Sequence, residues 1–308
     1  MKGAPIWIAV VALYLVSGAI SPAMLQVGQV LNILQVASFL GLIATGQTLA
    51  LLVGGIDLSQ AGVVTLTNIV ATSLMLGDPA NILPAVLACL ALAALIGLLN
   101  GLMVAWLGIG PLVATLAMNG ILFGAALLYT GGAPRGGAAP GFTELGQGSI
   151  GLVPVPTLLW LAVALGLAFV TRRSVWGRQL YAVGANPVAA RLMGMPVRRI
   201  ELSAYIGSSL LACLGGLLLT AYIGSPSLGI GAQFMLTSVA AVVVGGTALT
   251  GGIGGIVGTI GGVLFITELA SFTNIIRVSS GVQHVLQGAI IALSVLAYRI
   301  VGQRSARA

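Results

Sequence analysis

The stretch VGGIDLSQA at residues 53–61 places a carboxylate in a part of the chain that has almost no other polarity. From Val30 to Met75, Asp57 is the only charged residue. An ionised carboxylate in such surroundings costs several kcal/mol unless it is paired, hydrogen-bonded or hydrated. D-L-S-Q has the form of a capping box, with Asp57 at the cap, Gln60 at the third helical position and an apolar run after it. We therefore predict that Asp57 starts a helix and either serves structure alone or also borders a substrate path.

Two glycines before this aspartate, Gly54 and Gly55, allow the chain to turn sharply. A broken helix at membrane depth is tolerated only where it is buried in protein or lines a wet cavity. A related pattern, V-G-G-x-x-L-[ST], recurs at 244–250 as VGGTALT. It is a candidate internal repeat of the same turn.

Hydroxyl and amide side chains on apolar segments are the other groups suited to a path for a polar, uncharged solute. Those with this chemistry are Gln47, Thr48, Thr65, Asn68, Asn100, Thr115, Asn119 and Thr237. We take Asp57 together with Gln47, Asn68, Asn100, Thr115 and Asn119 as the candidate substrate pathway. Polar residues also hold transmembrane helices together, so that alternative stays open for each of them. The scarcity of buried charge favours a neutral solute over an ionic one.

A third motif, NPVAARLMG at 186–194, has the signals of a short helix. Asn186 can cap its start, Pro187 suits the first helical position, and Gly194 can take the left-handed conformation that ends it. Two turns are marginal in water, so the helix needs something to pack on, either its own membrane domain or a cytoplasmic partner. The apolar surface it offers is predicted to consist of Ala189, Ala190, Leu192 and Met193, with Arg191 as a polar contact.

The elements that position these residues must be membrane helices. Of 308 residues, 58% are hydrophobic and 6% charged, whereas a soluble domain carries roughly 25% charged residues. A chain so poor in charge needs lipid as its solvent. The predicted fold is therefore all-α, a single polytopic domain over 1–308. Cys89 and Cys213 lie singly in apolar runs and form neither a metal spacing nor a disulfide framework.

Apolar stretches of membrane-spanning length predict about ten transmembrane helices. They are 6–20, 29–53, 60–76, 82–107, 111–130, 152–171, 200–223, 232–250, 251–270 and 281–300. A cytoplasmic N-terminus then places ten of the twelve Lys and Arg residues inside and only Arg135 and Arg277 outside. The net charge of +7 is therefore interpreted as a consequence of membrane topology, with both termini cytoplasmic, and not as a sign of nucleic-acid binding. The outer loop 131–151 is Gly/Pro-rich and predicted to be irregular.

The energy source is constrained by the basic residues. Lys2 is the only lysine, so this chain cannot hold the P-loop motif G-x-x-x-x-G-K-[ST]. Energy must come from another chain or from an ion gradient. An ion-coupled secondary transporter would use intramembrane ionisable groups, for which Asp57, Glu268 and His284 are the candidates. We interpret His284 as interfacial, and Glu268 as either a hydrated helix-end carboxylate able to pair with Arg277 or a lining residue.

The segment YAVGANPVAARLMGMPV at 181–197 resembles the cytoplasmic coupling loop of ATP-binding-cassette importer permeases of the ribose, xylose and autoinducer-2 family. GGIDLS, PLVATLAMNGILFGAALLYTGG, VVVGGTALTGGIGGIVGTIGGVLF and QHVLQGAIIALSVLAYR resemble other segments of that family, in the family's order, over roughly 35–300. Two departures are Pro187, where a polar residue is commoner, and Glu268, where small or amide residues are usual. The second leaves the identity of the solute open.

This resemblance implies a non-enzymatic permease subunit in the bacterial cytoplasmic (inner) membrane, importing a small neutral solute such as ribose or xylose. It implies a second permease copy or sister permease, a periplasmic or lipid-anchored substrate-binding protein, and ATPase subunits that bind ATP, so that this chain holds neither a cofactor nor a metal. The coupling loop about 172–199 would dock on the ATPase. The residues assigned to coupling are Gly184, Asn186, Pro187, Ala190, Arg191 and Gly194.

Overall fold

The computed structural model describes residues 4–279, 281–283, 285 and 288–289, and these are predominantly helical. The α-helices are α1 (Ala4–Ile20), α2 (Val27–Leu52), α3 (Gln60–Met75), α4 (Ile82–Ala105), α5 (Pro111–Thr130), α6 (Pro140–Gln147), α7 (Val155–Arg173), α8 (Val175–Ala185), α9 (Pro187–Leu192), α10 (Val197–Ile223), α11 (Phe234–Val244) and α12 (Ile256–Ile275). Short 3-10 helices lie at Pro22–Leu25 and Pro79–Asn81. Strands β1 (Ser149–Ile150) and β2 (Val153–Pro154) form an antiparallel pair.

Six helices of the described part are long and apolar enough to cross a membrane. They are Val27–Leu52, Pro79–Ala105, Pro111–Thr130, Val155–Arg173, Val197–Ile223 and Ile256–Ile275. Pro5–Ile20, Gln60–Met75 and Phe234–Val244 are apolar but shorter. The predicted span 281–300 and His284 fall largely or wholly outside the described residues. The all-helical class is thus confirmed, while the count of about ten spans stays a prediction.

Two local expectations from the sequence were wrong. The predicted span 232–250 is cut short, because α11 ends at Val244 and the chain is non-helical until Ile256. Gly246, two residues after the helix end, has a positive φ, and so do Gly251, Gly252, Gly254 and Gly255, which keep the chain non-helical up to Ile256. The outer loop 131–151 is not irregular throughout, since it contains α6 and β1.

The loop helix α6 is held by hydrogen bonds to residues far away in the sequence, which local sequence patterns do not predict. Gln35 donates to the carbonyl of Gly146 at 2.9 Å. Gln147 donates to the carbonyl of Tyr222 at 2.8 Å. These bonds hold α6 over the C-terminal end of α10 and beside α2.

Helix α10 is the centre of the packing, in contact with α2, α3, α4 and α6. Close approach to α4 depends on Gly97, where an added Cβ would lie 2.7 Å from the carbonyl oxygen of Tyr205 and 2.6 Å from the Cα of Ile206. Small residues at such crossings let helix backbones approach closely in a membrane. The buried face of α10 also carries Ser208, which reaches the break between α2 and α3.

Candidate functional site

The break between α2 and α3 is a tight glycine turn. Gly54 adopts φ +81°, a conformation that favours glycine. Its N–H donates to the carbonyl of Leu51 at 2.9 Å, and the N–H of Gly55 donates to that of Ala50 at 2.9 Å. The predicted break of the helix before Asp57 is confirmed.

The carboxylate of Asp57 is fully buried and satisfied by hydroxyl and backbone donors. Its Oδ1 accepts from the N–H of Ser59 at 3.1 Å and from the Ser59 hydroxyl at 2.5 Å. Its Oδ2 accepts from the hydroxyl of Ser208 on α10 at 2.6 Å. These hydrogen bonds offset the cost of burying the group away from water.

The predicted capping box is wrong in its geometry. Helix α3 begins at Gln60 with Ser59 at the cap, so Asp57 lies before the cap and Gln60 is the first helical residue. The Gln60 amide does not turn back to Asp57. It donates to the carbonyl of Ile43 at 3.1 Å and to the hydroxyl of Ser208 at 2.9 Å.

Three more of the predicted pathway residues join this cluster. In the orientation that satisfies its neighbours, the Gln47 amide donates to the Asp57 carbonyl at 2.9 Å and accepts from the Asp57 N–H at 3.2 Å. Asn100 donates to the Ser59 hydroxyl at 2.8 Å. Thr115 accepts from the Leu58 N–H at 3.0 Å. The Asp57 cluster thus joins α2, α3, α4, α5 and α10. Its members are Asp57, Ser59, Gln60, Gln47, Asn100, Thr115 and Ser208.

The other two pathway candidates lie elsewhere. Asn68 donates to the Thr220 hydroxyl at 3.1 Å and accepts from the Ser227 N–H at 2.7 Å, so it ties α3 to α10 and to the chain beyond it. Asn119 is half-buried on α5, where its Oδ1 would lie 3.0 Å from a Cβ added at Gly62. A path role for the six candidates remains a prediction. The burial and contacts of Asp57, Gln47, Asn68, Asn100 and Thr115 fit the helix-joining alternative.

The break between α11 and α12 repeats the first turn. Gly246 has φ +91°. Its N–H donates to the Val243 carbonyl at 2.9 Å, and the N–H of Thr247 donates to the Val242 carbonyl at 3.1 Å. The matching hydrogen bonds align Gly246 with Gly54. Alignment of the two VGG motifs in the sequence would instead pair Gly245 with Gly54, one residue earlier. In the register of the hydrogen bonds, Leu249 takes the place of Asp57.

The short helix α9 has the start and stop that the sequence predicts. The Asn186 side chain accepts from the N–H groups of Val188 and Ala189, both at 3.0 Å. Pro187 is the first helical residue, and Gly194 has φ +77°.

One expectation about the surface of α9 was wrong, because Ala190 is 1% exposed and packs into the core. It therefore anchors the helix and cannot itself touch a partner. Leu192 and Met193 are exposed as predicted, and Leu192 is 84% exposed. Ala189 is half-buried, and Val188 is a further exposed apolar side chain. Arg191 beside them is exposed.

The end of α8 lies against both breaks. The N–H of Gly252 donates to the carbonyl of Leu52 at 3.0 Å. A Cβ at Gly184 would overlap that carbonyl oxygen and lie 2.6 Å from the nitrogen of Gly252. The Tyr181 hydroxyl donates to the Gly254 carbonyl at 3.2 Å. Partial burial raises the pKa of the Tyr181 phenol, while Arg172 lowers it. The contact of Gly184 with Leu52 and Gly252, described above, is called the glycine junction.

For the remaining ionisable candidate, Glu268, the structure contradicts the hydrated helix-end alternative, while the lining role stays a prediction. Glu268 is 3% exposed rather than hydrated, and its Oε1 accepts from the Ser17 hydroxyl on α1 at 3.5 Å. Cys89 and Cys213 are free and buried. Within the described residues no group of three or more His, Cys, Asp or Glu side chains could hold a metal ion.

Comparison with known proteins identifies the class. The family model described as "Branched-chain amino acid transport system / permease component" matches residues 29–295, so the chain belongs to this family. It is a multi-pass membrane permease and not an enzyme. Membership of this family supports an importer permease over an ion-coupled transporter.

Particular relatives are similar over almost their whole length. The ribose import permease protein RbsC of Escherichia coli (strain K12) is 38% identical, over 94% of this chain and 91% of that protein. RbsC of Bacillus subtilis (strain 168) is 34% identical over 92% and 88%. The D-allose transport system permease protein AlsC of Escherichia coli (strain K12) is 32% identical over 93% and 88%. No solved structure matches.

Proposed function

We propose that this chain is the permease subunit of an ATP-binding-cassette importer that moves a monosaccharide, such as ribose, across the cytoplasmic membrane. The observation that carries the proposal is the similarity to ribose import permeases over more than nine-tenths of this chain. The two buried carboxylates are hydrogen-bonded within the protein, which agrees with a neutral solute. The carboxylates of Asp57 and Glu268 both accept hydrogen bonds from serine hydroxyls inside the protein.

In the proposed topology about ten spans leave both termini in the cytoplasm. The arginines in and around α8 and α9 then lie on the cytoplasmic side, as the positive-inside rule favours. The α10 end at Ile223, the α11 start at Phe234 and the α12 end at Ile275 lie on the outer side.

The proposed ATPase contact is the exposed face of α9. Val188, Leu192 and Met193 form its apolar part, and Arg191 offers a charge. Ala190 fixes the helix to the membrane domain. The helix begins with the Asn186 cap and Pro187, and it ends before Gly194.

A movement of α8 and α9 with the ATPase would reach the membrane helices through the glycine junction. Gly184 is in direct contact with the end of α2 at Leu52 and with the loop before α12 at Gly252. The contact involves backbone atoms, which leave no flexible side chain to absorb the displacement. ATP is bound by the ATPase and not by this chain. A second permease copy or sister permease, and a periplasmic or lipid-anchored binding protein, complete the importer.

The test is reconstitution of the permease, its ATPase and its binding protein in liposomes. Uptake of labelled ribose should require ATP on the side of the ATPase and loaded binding protein on the other side. The permease alone should take up no ribose when a proton or sodium gradient is imposed. Gradient-driven uptake by the permease alone would contradict the proposal.

A further inference from the structure

A cavity of about 550 Å³ lies between α2, α10, α11 and α12, apart from the Asp57 cluster. Its aromatic lining consists of Phe39, Tyr222 and Phe234. The rings of Phe39 and Tyr222 are in contact, with centroids 5.2 Å apart. The cavity is bounded by the end of α10 and the start of α11, which face outward in the proposed topology.

One buried hydroxyl in this cavity has no partner among the described residues. Thr267 is 6% exposed, lines the cavity, and makes no hydrogen bond with them. Thr273, on the same helix and 4% exposed, bonds to the carbonyls of Leu269 and Ala270, both at 2.9 Å. A ligand oxygen or water in the cavity would supply the partner that Thr267 lacks.

Two amides add further hydrogen-bonding groups. Gln233 lines the cavity, and its side chain makes no hydrogen bond with described residues. The Oδ1 of Asn274 accepts from the Gln283 amide at 2.8 Å, so the Asn274 NH₂ group can donate to another acceptor. Together with Thr267, these two amides give a largely apolar wall three side chains that can make hydrogen bonds.

The described lining residues include no acidic or basic side chain. A charged solute would therefore lose its water without a counter-charge, which is costly. A neutral sugar fits better, because its hydroxyl groups can bond to amides and hydroxyls while its C–H face packs on aromatic rings. Small-molecule sites commonly combine apolar walls with a few polar groups in volumes of roughly 300–1,000 Å³.

We propose that this cavity is a transit site where a neutral monosaccharide rests in the permease after it leaves the binding protein. Thr267 and Gln233 bond to its hydroxyl groups, and Tyr222, which Phe39 supports from behind, packs on its ring. The proposal rests on the proposed function, since it takes sugar as the transported solute.

The decisive variant is Thr267→Val, with Thr273→Val as its matched control. Both changes replace a buried threonine of α12 by a side chain of nearly the same shape. Thr267→Val removes no hydrogen bond within the described protein, so the melting temperature in detergent should stay equal or rise. Ribose uptake per ATP hydrolysed by the reconstituted importer should fall roughly three- to tenfold, the effect of one lost hydrogen bond. Thr273→Val should lower the melting temperature and leave uptake per ATP within about twofold of wild type.

Gln233→Leu provides a second, exposed site where folding is not at stake, and it should also lower uptake per ATP. If wild-type importer takes up ribose while Thr267→Val and Gln233→Leu match it, the cavity is not a transit site, and the proposed function stands. If wild-type importer takes up no ribose or other monosaccharide, the proposed function fails and the transit site fails with it. A parallel loss of melting temperature and uptake in Thr267→Val would also overturn the site, because it would reveal a structural role.

Discussion

The two helix breaks have the same backbone hydrogen bonds and very different side chains. In the α2–α3 turn, Asp57 accepts from Ser59 and from Ser208 on α10, so side chains fix the turn to its neighbours. In the α11–α12 turn, Leu249 takes the corresponding place, and the chain continues through glycines with positive φ. The shared backbone shows that a glycine turn is enough to break the helix. The side chains then decide how firmly the turn is held.

The second turn is held mainly by backbone contacts, and these involve α8. Gly252 bonds to Leu52 of the first turn, and Tyr181 of α8 bonds to Gly254. We expect the Asp57 cluster to make the first turn the more rigid one. The second turn should respond more readily to movement of α8.

The largest effect is expected from Gly184→Val, which should damage both turns at once. The new side chain would overlap the Leu52 carbonyl oxygen and crowd the nitrogen of Gly252. Overpacking against backbone atoms should lower the free energy of unfolding by about 3 kcal/mol or more and abolish uptake. Gly166→Val is the control, because nothing lies within 4 Å of a Cβ at that position of α7. Equal melting temperatures for the two variants would contradict the glycine junction.

Asp57→Ala should have the next largest effect and should be confined to the first turn. It leaves the buried Ser59 N–H and the Ser208 hydroxyl without their acceptor. We expect a loss of about 2–3 kcal/mol in the free energy of unfolding. Leu249→Ala, the matched change in the second turn, removes no hydrogen bond and should cost less. Thermal unfolding in detergent measures both, and the comparison of the turns is wrong if Leu249→Ala is the more destabilising.

Leu192→Glu should leave both turns intact and weaken docking only. The side chain is 84% exposed, so the fold should keep its melting temperature. Binding of the ATPase should weaken about tenfold, equivalent to roughly 1.4 kcal/mol. Leu192→Ala serves as a milder control, and binding is measured by titrating the ATPase onto purified permease. Ala190→Glu should behave differently, because it places a charge in the core and lowers the melting temperature. Unchanged ATPase affinity in Leu192→Glu would remove α9 from the proposed contact.

Thr247→Val should give the smallest effect. Its hydroxyl accepts from the Gly255 N–H at 3.3 Å, a single weak hydrogen bond across the second turn. We expect a loss of about 0.5–1.5 kcal/mol. Ser208→Ala, which removes hydrogen bonds to both Asp57 and Gln60 in the first turn, should cost more. The reverse order in a denaturation series would mean that the second turn is the more firmly held.

Local patterns in the sequence determined the membrane class, the helix break before Asp57, and both ends of α9. These features depend on interactions within a few residues. Gly54 sets its own backbone turn, and the Asn186 side chain caps N–H groups two and three positions later. The resemblance of separate segments to one permease family also required only the order of residues along the chain.

Only the tertiary structure decided which groups meet across the chain. Asp57 finds Ser208 at a separation of 151 residues, and Glu268 finds Ser17 at a separation of 251. In a membrane helix nearly every face is apolar, so periodicity does not tell a buried face from a lipid-facing one. The loop helix α9 has only six residues, too few for a periodicity that separates its faces, so only the packing placed Ala190 in the core. Thr267 is one of many threonines in apolar helices, and only the packing of four helices makes it a lining residue of a cavity.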